Sequence, residues 1–156
     1  MIMKALTREE LEQALPLVWT VFCEYEAVHY PEASKQVFWD AIHSEDYLSM
    51  LSAYGAFEDN TLIGIIATRN EGSHIALFFV DGKYQNRGIG RKLWNKIRNN
   101  SPAREITVHS SIYAKDIYTK LGFVQDGCLR NDGGIQYIPM VYKNLTQNPC
   151  TSPQQI

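Results

Sequence analysis

The stretch A76-L-F-F-V-D-G-K-Y-Q-N-R-G-I-G-R-K-L-W-N-K-I-R-N-N100 decides how this chain is read. An apolar run stops at a turn, and the turn leads through Gln85-Asn86-Arg87-Gly88-Ile89-Gly90 straight into a helical pattern. Ile89, Leu93, Trp94 and Ile97 fall on one face of that pattern, which predicts a helix from about 88 to 99 with Trp94 in the core. A strand that turns directly into a helix leaves several backbone N–H groups unpaired at the positive end of the helix dipole. Glycines there let a ligand come close to the backbone. The combination suits an anion such as a phosphate or pyrophosphate, with Arg87, Arg91 and Lys92 nearby as cationic side chains. The loop lacks the lysine pattern of a P-loop. It is also no dinucleotide-binding fingerprint, because residues 91 to 94 hold no third glycine.

Working outward, residues 1–6 read as a short strand. Thr7 and Glu10 have capping-box spacing, and Leu11, Leu15, Val18, Trp19 and Phe22 recur at helical period, so residues 8–26 read as a helix that Pro16 should kink or split. A second helix begins at Pro31 and carries Val37, Phe38, Ala41 and Ile42 on one face; Trp19, Phe38 and Trp39 are expected to pack in the core. Two apolar runs around Asp59-Asn60 predict a hairpin, and the run from 73 to 80 a third strand. After the glycine loop and its helix come a strand over 104–110 and a helix closed by Gly122. Two more strands follow, 123–130 and 135–143, around Asn131-Asp132-Gly133-Gly134. The order is β-α-α-β-β-β-α-β-α-β-β, one mixed α/β domain over residues 1–143, with a polar tail over 144–156.

Composition narrows the function. The 156 residues carry a net charge of −2, so no global basic field recruits nucleic acid or an anionic membrane. No signal-peptide pattern or transmembrane run is present, and Cys23, Cys128 and Cys150 show no zinc spacing, so a cytoplasmic protein with reduced thiols and no metal is expected.

A second segment bears on the glycine loop. S110-S-I-Y-A-K-D-I-Y-T-K-L-G-F123 places Ala114, Tyr118, Gly122 and Phe123 at fixed spacing. Together with Q85-x-x-G-x-G it resembles the two cofactor segments of the GNAT (Gcn5-related) N-acetyltransferases, with Ser111 where the family commonly has asparagine. The resemblance implies a central, mostly antiparallel mixed sheet flanked by helices. It implies acetyl-CoA as co-substrate, with Gln85, Asn86, Arg87, Gly88, Ile89, Gly90 and Arg91 around the pyrophosphate. Backbone groups of Phe78, Phe79 and Val80 would then meet the pantetheine arm and acetyl carbonyl, and Ser111 would bond a pantetheine amide. It leaves room for a homodimer.

In acetyl transfer the amine must lose a proton, the thioester carbonyl must be polarised, and the leaving thiolate benefits from a proton; the family resemblance leaves open that water, with no dedicated base, carries the amine's proton. Tyr118, a phenol with an ordinary pKa near ~10, matches the family's acid and would also touch the cofactor. His74 is the candidate base: it starts the strand of Val80 and, by period-two alternation, shares the face of Ala76, Phe78 and Val80. Glu24 and Glu26, at the end of the first helix, are rival bases and candidates for recognising the amine. The expected activity is transfer of an acetyl group from acetyl-CoA to a primary amine, without an acyl-enzyme. The alternatives are a non-catalytic coenzyme A binding module and a different nucleotide-binding protein. The acceptor is left open among a small amine, an amino acid, a polyamine, an aminoglycoside and a protein N-terminus.

Overall fold

The computed structural model describes residues 1–132 and 134–145. Strand β1 (Ile2–Ala5) leads to helix α1 (Arg8–Tyr25) through a complete capping box. The Thr7 hydroxyl accepts from the Glu10 N–H at 3.1 Å and the Glu10 carboxylate accepts from the Thr7 N–H at 2.9 Å. The helix runs through Pro16 without the predicted break. An interior proline costs about 3 kcal/mol, but Leu11, Leu15, Val18, Val21 and Phe22 are all buried. At about 1.5–3 kcal/mol each, those side chains outweigh the proline. Helix α2 (Glu32–Ile42) follows, then a five-residue helix α3 (Glu45–Ser49) that the sequence pattern missed. It is too short to show a period, although Ser44 caps it.

Strands β2 (Ser52–Glu58) and β3 (Thr61–Arg69) form the expected hairpin; Asp59 and Asn60 both take positive φ, 49° and 65°. Next come β4 (His74–Val80), α4 (Ile89–Asn100), β5 (Glu105–Ser110) and α5 (Lys115–Leu121). Gly122, at φ 106°, closes α5. The run expected as one strand over 123–130 is two short ones, β6 (Val124–Gln125) and β7 (Arg130–Asp132), divided at Gly127, whose φ is 113°. Strand β8 (Ile135–Lys143) pairs with β5, β6 and β7. Asn144, expected in the tail, is buried, and its Nδ2 donates to the carbonyls of Arg98 and Ala103.

The sheet order is β1-β2-β3-β4-β5-β8-β6, antiparallel except for β4 and β5. One face packs on α1 through Ile65, Ala67, Leu77 and Phe79; the other packs on α4 through Ile63, Ile66, Leu93 and Trp94. Covered on both sides, β3 reads as an unbroken apolar run.

The parallel pair is where the sheet comes apart. Strand β4 pairs with β3 over its whole length, and β5 with β8 over its whole length. Between them only His74–Thr107 and Ile75–Val108 are in register. Beyond Ile75 the strands diverge, and the β5 side of β4 is left as an unpaired edge inside the molecule. Such an edge is a template for a ligand that hydrogen-bonds like a strand.

Candidate active site

Two spaces open from this gap. A groove of about 310 Å³ runs along the end of β4, the glycine loop and α5. A cavity of about 240 Å³ lies on the side of α1, α2 and β8. Glu26, Phe78, Phe79, Ala114 and Tyr118 line both.

On the groove side, Gly88 is the N-cap of α4, with φ 82° and no side-chain cap over the first-turn amides. A Cβ on Gly88 would meet nothing within 4 Å, so glycine is required there by its backbone conformation, and the space above it is open. Gly90 differs: a Cβ there would rest at ordinary contact, 3.6 Å from Phe78. The Gln85 side chain donates to the Val80 carbonyl at 3.0 Å and ties the loop to the strand end. Arg87 lies over the Tyr84 ring at 5.3 Å, and Arg91 donates to the Lys120 carbonyl at 3.2 Å, joining α4 to the end of α5. Of the residues expected around a cofactor, Phe78, Phe79, Val80 and Gln85 line the groove, as do Asn86, Gly88, Gly90, Arg91 and Tyr118. Ile89 turns its side chain into the core and offers only its backbone, and Trp94 is fully buried as expected.

At the junction stand Glu26 and Tyr118. Glu26 is the C-cap of α1, its N–H bonded to the Phe22 carbonyl. Its carboxyl faces into the junction, although the residue keeps some open surface. Burial pushes its pKa up to about 7, against an opposing hydrogen bond from the Ser111 hydroxyl. The negative end of α1 disfavours charge in the same direction as burial. Tyr118 is buried, with its ring edge-on to Phe78 and Phe123. Burial, and then the neighbouring Glu26, push its phenol well above the ordinary value. It therefore stays protonated at neutral pH. Ser111 accepts from the Ala114 N–H at 3.1 Å, so its own proton is available to Glu26.

His74 departs from expectation. Leu77 pairs with Ala67 and Ile75 with Thr68, so Ala76 is an extra residue on β4. This bulge breaks the period-two alternation, and His74 falls on the face opposite Phe78 and Val80. It is 8% exposed and lines neither space. The Thr107 hydroxyl donates to the Ser73 carbonyl and accepts from His74 Nδ1 at 2.8 Å. Burial, then His109 and Arg69, lower its pKa to about 4, which makes it a weaker base than an ordinary imidazole. Glu24 is exposed and also lines neither space. Cys23 is half-buried, Cys128 is exposed, and neither lines either space; Cys150 lies outside the described residues.

The cavity is built largely from residues the sequence pattern did not single out. Phe38, expected in the core, stacks on Phe22 at 4.1 Å in the cavity wall, while Trp39 is 40% exposed. His109 stacks on Tyr137 at 4.0 Å. Tyr30 donates to the Gln136 carbonyl and Ser34 to that of Gly134, closing the α2 side onto β8. The one signal for these residues is the aromatic-rich segment Cys23–Tyr30; the rest come from separate elements.

A GNAT acetyltransferase domain matches residues 7–144, and the chain belongs to that family. Solved structures agree on the fold. A GCN5-related N-acetyltransferase from Rhodopseudomonas palustris superposes with a TM-score of 0.78 at 16% identity, over 91% of this chain and 94% of that one. The PaiA N-acetyltransferase of Thermoplasma acidophilum, solved in complex with coenzyme A, gives 0.71 at 20% identity, over 92% and 99%. Apo YjaB of Escherichia coli gives 0.72 at 17%, over 91% and 98%. No curated protein matches the sequence. Among the described residues no helix is long and apolar enough to cross a membrane.

Proposed function

We propose that this chain is an acetyl-CoA-dependent N-acetyltransferase that acts on a primary amine by direct transfer, with Glu26 as base and Tyr118 as acid. The observation that carries the reading is the placement of these two groups where the groove meets the cavity. The groove residues fit coenzyme A: uncapped amides at the start of α4 for a pyrophosphate, and an unpaired strand edge for an amide-bearing arm. When bound, acetyl-CoA supplies the activated acetyl thioester. The backbone of Phe78 to Val80 orients the carbonyl. Glu26, poised near neutrality, takes the proton that the ammonium must lose before nitrogen can form the C–N bond. Tyr118 gives its proton to the sulfur as the C–S bond breaks. Ser111 favours the charged form of Glu26 against its burial. This assignment puts the base on Glu26 and not on His74.

Calorimetric titration with acetyl-CoA, beside ATP–Mg²⁺ and NAD⁺, tests the cofactor. Selective binding supports the reading, and equal binding of all three sinks it. A non-catalytic coenzyme A module would bind acetyl-CoA but release no thiol with any amine.

A further inference from the structure

We infer that the acceptor is a small primary amine carrying an aromatic or compact apolar body and no acidic group, of the phenethylamine type. This inference rests on reading the site as an N-acetyltransferase, and it comes from the cavity walls. Two aromatic stacks, Phe22 with Phe38 and His109 with Tyr137, line the space together with Tyr30 and Phe79. Aromatic faces accept a ring edge-on or offset, and they attract an ammonium. Among the described residues, the carboxylates in the lining are Glu26 at the junction and Asp132 from β7, and no lysine or arginine lines it. A carboxylate or phosphate on the acceptor would find no cationic side chain in the wall to pair with, since Arg69 and Arg130 act on His109 without lining the space, and an unpaired buried anion is strongly disfavoured. That argues against free amino acids. At about 240 Å³, and closed by the Tyr30 and Ser34 hydrogen bonds to β8, the space suits a compact ligand better than a long flexible one.

The test measures thiol release from acetyl-CoA with phenethylamine, phenylalanine and spermidine. Phenethylamine and phenylalanine differ by the carboxylate alone. The expected result is a kcat/KM for phenethylamine higher than for phenylalanine by roughly 100-fold, and higher than for spermidine. Gln136→Arg is the sharpening variant. Gln136 belongs to the cavity rim, exposed enough to admit a longer side chain, and its contact to Tyr30 uses only its backbone carbonyl. It should narrow the phenethylamine-to-phenylalanine ratio by about tenfold, since a new cation pairs with the carboxylate and repels the ammonium. If phenylalanine or spermidine matches phenethylamine, the inference is overturned and the acetyltransferase reading stands. The same holds if acetyl-CoA binds and another amine, but not phenethylamine, is turned over; if acetyl-CoA binds and no amine is turned over, the inference is overturned in favour of a non-catalytic module. If acetyl-CoA does not bind, the acetyltransferase reading fails, and ligand-observed NMR of phenethylamine without cofactor decides this point. Saturation transfer that is lost in Gln136→Arg supports an amine cavity, and no transfer to the wild type overturns it.

Discussion

The two spaces that meet at Glu26 and Tyr118 are built in opposite ways. The groove is made mainly of two stretches of chain, the end of β4 through its loop to the start of α4, and α5 with the turn before it, with the end of α1 alongside. It offers mostly backbone, and backbone geometry is dictated locally, by a glycine at φ 82° and by the end of a strand. The cavity is made of side chains drawn from positions as far apart as Phe22 and Tyr137, on α1, α2, β4, β5, β7 and β8. Nothing local dictates them; only the divergence of β4 from β5 brings them together. Backbone can hold a ligand in the groove, while side chains from distant elements form the walls of the cavity.

That contrast can be broken first at the junction. Tyr118→Phe should lower kcat by about 10²–10⁴-fold, the usual worth of a general acid, with acetyl-CoA affinity unchanged by calorimetry. Equal activity would remove the acid role. Glu26→Gln should lower kcat/KM by a similar factor at pH 8. It should also shift stability in a pH-dependent way. The folded pKa of Glu26, about 7, lies above its ordinary value of 4.5, so the folded state holds its proton more tightly. Its contribution to stability is complete below about pH 4.5 and is lost as pH rises through about 7. Thermal melts should therefore show Glu26→Gln gaining on the wild type between pH 5 and pH 8. A pH-independent difference would mean that the carboxyl is not so perturbed.

On the groove side, the two glycines separate fold from ligand. Gly88→Ala should destabilise the fold by about 1–2 kcal/mol through its left-handed backbone. Gly90→Ala should leave the melting temperature within about a degree, because its Cβ has room. Weaker acetyl-CoA binding in Gly90→Ala would therefore report close approach of the ligand rather than damage to the loop. The smallest effect is expected at His74. His74→Gln should change kcat by less than about threefold while costing about 1 kcal/mol for the lost bond to Thr107. A collapse of kcat with an intact fold would restore His74 as the base.

The legibility of the sequence follows the same division. Gly88 and Gly122 could be placed because each marks a left-handed position at a helix end. The Thr7–Glu10 box and the Asp59-Asn60 turn were equally local. The expected split at Pro16 did not occur, because burial of the helix around it overrides the local rule. The error at His74 was a register error: a single bulge at Ala76, invisible in composition, moved the histidine to the other face of the sheet. Glu24 and Glu26 could not be told apart from spacing. The end of α1 leaves one in solvent and turns the other into the junction.

Glu26 carries the proposed proton transfer, and the pH dependence of kcat/KM tests it most directly. The assay uses phenethylamine, or whichever amine of the panel is turned over fastest, with saturating acetyl-CoA. The wild type should show an ascending limb with an apparent pKa near 7, and that limb should disappear in Glu26→Gln while acetyl-CoA binding is retained. An ascending limb of the same pKa that survives in Glu26→Gln would contradict the account.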